Sequence, residues 1–166
     1  MSTANQFSNV RKWLKVMHLI AAGVWIGGTA TLTALICLYH PDSPESFRAH
    51  NSLLRMIDLY IIAPAALGCL VTGAIYSSYY NFGFFRLKWV MAKWCINVFF
   101  IAFGILVMLP WLDGAIALTL TVANAAEETA AIRAMHIFIN IGQWAVIVLL
   151  VCLSVFKPWG KTRFVW

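Results

Sequence analysis

A chain of 166 residues that is 62% hydrophobic and only 11% charged cannot clothe a water-facing surface in polar groups, so a soluble globular domain is excluded. The formal net charge of +6 does not point to nucleic acid, because the basic residues flank apolar segments instead of forming one solvated patch.

Four apolar stretches, 12–38, 52–78, 88–110 and 134–156, each reach the roughly 20 residues needed to cross about 30 Å of hydrocarbon. They predict an all-α fold, an integral membrane four-helix antiparallel bundle, with residues 1–166 forming one four-span transmembrane domain and no room for a separate soluble catalytic domain. The first span opens at Lys12 and runs to Leu38 without a small-residue cleavage site, so it is expected to be a retained helix and not a signal peptide. Pro41-Asp42-Ser43-Pro44 then breaks the helix and starts a short external loop. Asn81-Phe82-Gly83 predicts a tight internal turn between the second and third spans. The third connection, Asp113 to Arg133, is rich in Ala, Thr and Glu and is expected to form a short amphipathic helix at the outer surface.

Charge sets the expected orientation. Arg11, Lys12, Lys15, Arg86, Lys88, Lys93, Lys157, Lys161 and Arg163 lie in or beside the two tails and the second connection. Only Arg48, Arg55 and Arg133 fall on the other side, together with all six acids. Basic residues near span ends stay in the cytoplasm, so both termini are expected there, in the inner (plasma) membrane of a cell. Trp13, Trp89, Trp111, Trp159, Tyr79 and Tyr80 cluster at span ends as an aromatic belt. Cys37, Cys69, Cys95 and Cys152 lie inside spans without CxxC spacing, which argues against disulfides and structural zinc.

The polar residues within spans are the functional candidates, since an ionisable group at bilayer depth is costly. With about 1.5 Å of rise per residue, His18 and Lys93 fall about 10 Å and 9 Å to the cytoplasmic side of the midplane. Asp58 and His136 fall about 10 Å and 13 Å to the external side. At the inner level Lys15, His18, Ala22, Trp25 and Thr29 share a helix face, and Lys93 with Asn97 and Gly104 forms another. Lys93 is read either as snorkelling to the headgroups or as a site residue. Gly23, Gly27 and Gly28 allow close approach of a helix or of a flat ligand. At the outer level His136, Asn140 and Gln143 make a polar stripe, with Asp58 at a similar height to orient the imidazole for metal ligation or proton relay. A structural hydrogen-bond network is the other reading of that stripe. The two histidine levels differ by more than about 20 Å, too far for one shared metal.

Trp13-x-Lys15-x-x-His18-x6-Trp25-x-x-Gly28, closed by Leu38-Tyr39-His40, resembles the first span of the HemJ-type protoporphyrinogen oxidases, and similar helices occur in CopD-like copper-resistance membrane proteins. Pro64-Ala65 with Gly73, Trp89 to Lys93, and Lys157-Pro158-Trp159 extend the resemblance over all four spans. It implies a haem b-binding membrane protein in which His18, Lys93, Trp25 and Gly28 contact the cofactor. His18 is then the preferred axial ligand, and Lys93 pairs a propionate or relays protons. The chain departs from that family where it carries Ala34 to Cys37 before the Tyr-His pair and an acidic third connection. The expected function is therefore a membrane haem or redox protein with catalytic candidates Lys93 and Asp58 and metal candidates His18 and His136. Alternatives are a protoporphyrinogen oxidase proper that passes electrons from a porphyrin precursor to a quinone, a copper-handling protein using His40, His50, His136 and the external acids, and a non-catalytic accessory subunit. Expected partners are the lipid bilayer, a porphyrin or quinone, and a second copy or a larger membrane complex.

Overall fold

The computed structural model describes residues 3–79, 88–118 and 126–157. They form four long helices: α1 (Thr3–Leu38), α2 (residues 44–79), α3 (residues 88–118) and α4 (Ala126–Phe156), with no strand among the described residues. Each contains a segment long and apolar enough to cross a membrane: Asn9–Leu38, Pro44–Ser77, Lys88–Gly114 and Ala130–Phe156. The fold is the expected all-α four-span membrane bundle. Large apolar side chains such as Leu106 and Phe138 are both 73% exposed, which suits a rod whose solvent is lipid.

The helices overrun the expected spans. α2 begins at Pro44 and not at residue 52, because Ser43 caps it: the Ser43 hydroxyl accepts from the Ser46 N–H at 3.2 Å and the Ser43 N–H donates to Ser46 Oγ at 3.0 Å. Pro44 at the first helical position needs no amide partner. α3 continues past residue 110 to Leu118, and residues 126–133 extend α4 directly, so that part of the third connection is no separate amphipathic helix. The apolar face of α4 simply carries on outward through Ile132, which packs with Phe47 and Trp111. The rest of that connection, the turn at Asn81-Phe82-Gly83, Tyr80 and Trp159 lie outside the described residues.

α1 and α2 pack most intimately. Small residues set the spacing: a Cβ on Gly68 would meet Ala21 Cβ at 3.4 Å, and one on Gly28 would meet Ile62 Cγ1 at 2.9 Å. Trp25, Leu32, Ile36, Leu54, Ile57, Ile62, Ala65, Ala66 and Cys69 fill this seam, and Ile147 joins it from α4. At the end of the bundle bearing residues 39–43, here the loop end, Arg55 on α2 bonds Asp113 on α3 at 2.5 Å. That pair is 34% and 52% exposed, so it contributes little stability.

Two π-helical turns interrupt otherwise regular rods, Asp58–Ile62 in α2 and Gly104–Met108 in α3. Their cause is legible in the chain. Pro64 and Pro110 each lie two residues beyond the end of a π turn. A proline inside a helix removes one N–H and its ring presses on the carbonyl four residues back, here Tyr60 and Leu106. The wide turn absorbs that pressure: the Ala63 N–H bonds the Asp58 carbonyl, and the Leu109 N–H bonds the Gly104 carbonyl, five residues back in each case.

Candidate functional site

Between the helices near the loop end lies a cavity of about 340 Å³. Its walls are mostly aromatic and aliphatic, with Phe99, Phe100, Phe103, Met108 and Trp111 from α3, Leu32 and Ile36 from α1, and Met135 and Phe138 from α4. Four polar side chains line it: Asp58 from α2 and His136, Asn140 and Gln143 from α4. Asp58, Gly104 and Met108 are π-turn residues, so both irregular turns border the cavity.

His136, Asn140 and Gln143 are buried at 8%, 7% and 6% exposure, on the successive turns that their spacing dictates. Trp111 packs edge-on against the His136 ring, with centroids 5.2 Å apart. Asn140 is anchored on one side only. Its Oδ1 lies 2.9 Å from the Thr33 hydroxyl, which accepts the Trp144 indole N–H at 2.9 Å and is also 2.8 Å from the Thr29 carbonyl. A hydroxyl has a single proton, so Thr33 serves either the carbonyl or Asn140 at any moment. Two polar atoms of these wall residues, His136 Nε2 and Asn140 Nδ2, are buried with no hydrogen-bond partner among the described residues. Leaving such groups unmet costs on the order of 1–3 kcal/mol each.

The other polar level is built differently. His18 Nδ1 lies 2.8 Å from Thr72 Oγ1, and that hydroxyl is 2.6 Å from the Gly68 carbonyl. The ring leans on Gly73, where a Cβ would come within 3.8 Å of Cε1. Holding Nδ1 in this way orients the imidazole and leaves Nε2 as the nitrogen that an axial ligand would use. Lys93 has protein partners: its ammonium donates to Ser154 Oγ on α4 and stands 5.6 Å from the Trp89 ring centroid. It is near enough for its charge to act on His18. Trp25 and Gly28 offer no face to a flat ring. Trp25 is 5% exposed within the α1–α2 core, and Gly28 is backed onto Ile62.

The structure thus brings Asp58, His136, Asn140 and Gln143 to one cavity, and keeps His18 and Lys93 apart from it at the other level. Among the described residues no three His, Cys, Asp or Glu side chains converge to hold a metal ion. His40, His50, His136, Asp42, Glu45, Asp58 and Asp113 are therefore not gathered as a ligand set. The sequence reading did not single out Thr72, Thr33, Trp144 or the phenylalanines of α3. The in-span prolines were the available signal for irregular turns at this depth. Comparison with known protein families, with curated proteins and with solved structures finds no match to this chain.

Proposed function

We propose that this chain is a multi-pass protein of the inner (plasma) membrane, with both termini cytoplasmic, that binds a membrane-soluble small molecule in the loop-end cavity. The observation that carries the reading is the pairing of an apolar cavity with buried, unpartnered polar atoms on its wall. About 340 Å³ lies at the lower end of small-molecule sites, which are typically mostly apolar with a few placed polar groups. The walls accept an apolar body. His136 Nε2 and Asn140 Nδ2 provide its polar contacts, with Gln143 and Asp58 beside them. The bias of basic residues toward the tails supports the orientation.

Gly104 lines the cavity and a built Cβ there has nothing within 4 Å, so Gly104→Leu adds bulk at the site from an uncrowded position. Organic extracts of the purified protein, read by mass spectrometry, should contain a compound that Gly104→Leu lacks and His136→Leu retains poorly. Identical extracts from all three would remove the cavity as a binding site. A reporter fused after Trp166 that is active only outside the cytoplasm would overturn the orientation.

A second reading is favoured by the His18–Thr72 contact: a haem b at the inner level, ligated by His18 with Lys93 beside it. Bound haem would supply one-electron chemistry there. His18→Ala should then abolish or shift the Soret band of the folded protein, and an unchanged spectrum would exclude His18.

A further inference from the structure

The rim of the cavity carries cationic chemistry that an uncharged ligand does not need. Arg133 lies one turn beyond His136 on the same face of α4, toward the loop end. Its Nη2 donates to the Ile36 carbonyl at 3.3 Å and stands 2.6 Å from His40 Nε2. Ile36 is a wall residue, so the guanidinium sits at the edge of the cavity. His50, buried at 8% exposure against Tyr39, is close enough for electrostatic contact with both Arg133 and His136. Three imidazoles and a guanidinium thus collect at this end. Asp42, Glu45, Asp58 and Asp113 make no ion pair with Arg133, and Asp113 is bonded to Arg55 instead. A guanidinium has five N–H donors in a planar fork, a shape that suits carboxylate and phosphate oxygens. His136, a residue of the cavity wall and more than nine-tenths buried, lies one turn deeper with its Nε2 unpartnered among the described residues.

We propose that the cavity takes an amphipathic anion, a carboxylate or phosphate head on an apolar chain, with the head held between Arg133 and His136 and the chain among the phenylalanines of α3. The inference rests on the cavity reading above and adds the ligand class. Asp58 is the only acid among the wall residues, which places the negative head at the rim and the chain within. Selectivity must come from the head, because a chain leaving lipid for an apolar cavity gains little hydrophobic free energy.

The test uses the full chain in lipid nanodiscs with tritiated dodecanoate, competed by dodecyl phosphate, dodecanol and inorganic phosphate. A hydrogen bond to a charged group contributes enough to make dodecanol at least about ten-fold weaker than either long-chain anion. Arg133→Gln should reduce both anions to the level of dodecanol, Arg133→Lys should retain part of the difference, and dodecanol itself should be unaffected. Inorganic phosphate should compete poorly, and full competition would show an anion site that does not use the cavity, overturning the proposal. Equal binding of dodecanol and dodecanoate, or wild-type binding by a folded Arg133→Gln, would overturn the head-group assignment while leaving the cavity reading intact. No binding of any chain compound would sink both.

Discussion

Gly28 offers a sharp test of whether the α1 glycines serve packing or a ligand. A Cβ at this position would stand 2.9 Å from Ile62 Cγ1 and 3.4 Å from Ile61 Cγ2, and Ile62 is itself 4% exposed. Cγ1 is attached directly to Cβ, so it can retreat only by rotating χ1 away from its staggered well, at a cost of about 0.5–1.5 kcal/mol. Adding a methyl to a filled seam costs about 1–3 kcal/mol in total. Gly27, the preceding residue on the same helix, has nothing within 4 Å of a built Cβ. Both Gly28→Ala and Gly27→Ala gain the same helix propensity, of about 1 kcal/mol. The difference between the two variants therefore isolates the clash, and should be about 1–3 kcal/mol in equilibrium unfolding from mixed detergent micelles. Ile62→Ala removes Cγ1, so in the Gly28→Ala background it should cost less than in the native protein, a favourable coupling in a double-mutant cycle. Equal stability of the two alanine variants would refute the packing argument. If Gly28→Ala were as stable as Gly27→Ala yet lost haem, the ligand-contact role implied by the HemJ-type resemblance would stand instead.

Three further outcomes are expected. Pro64→Ala restores an N–H that can reach the Tyr60 carbonyl; closing the π turn would rotate the preceding segment by about 100°, one residue's share of a turn, and carry Asp58 off the cavity wall. Ligand retention should fall with far-ultraviolet dichroism unchanged, and full retention would detach the π turn from the site. Thr72→Val removes the hydroxyl beside His18 Nδ1 at nearly constant shape; a haem titration followed at the Soret band should show affinity lowered by about ten-fold, and no change would mean that Thr72 does not orient the ring. Lys93→Met and Ser154→Ala should be non-additive, with a coupling of about 0.5–1.5 kcal/mol in unfolding, whereas strict additivity would mean that the ammonium reaches the headgroups.

What the sequence disclosed and what it withheld follow from the kind of physics involved. Apolar length and periodicity are local, and they specified four spans and the shared face of His136, Asn140 and Gln143. Asp58 was placed at a similar height because helical rise converts residue number into depth, and it lines the same cavity from α2. Span ends were less legible. Ser43 and Pro44 start α2 eight residues early through a reciprocal cap between hydroxyl-bearing residues, while hydropathy alone sees only the later apolar run. Whether a glycine approaches a helix or a ligand is a question of which neighbour arrives, and Gly27 and Gly28 differ by one residue yet face open space and Ile62 respectively. Likewise the Lys93 to Ser154 contact joins residues 61 apart, a pairing that no local pattern encodes.

The two levels of the bundle differ in how they treat irregularity, and this bears on where function resides. At the His18 level the helices are regular, close-packed on Gly68 and Gly73, and the imidazole has a protein partner, although Ser77 Oγ and Asn97 Oδ1 on that side are buried without one among the described residues. At the cavity level two different helices carry a proline at the same offset from a π turn, and both turns border one space. A proline in a helix interior costs about 3 kcal/mol, and a buried amide or imidazole nitrogen left without a partner costs on the order of 1–3 kcal/mol more. Packing alone would be better served by alanine at 64 and 110 and by apolar residues at 136 and 140. Local rules broken together, on several helices and around one volume, mark a place where stability has been given up for a site. By that argument the loop-end cavity, where both π turns meet, has a stronger claim to the chain's function than the regular His18 level.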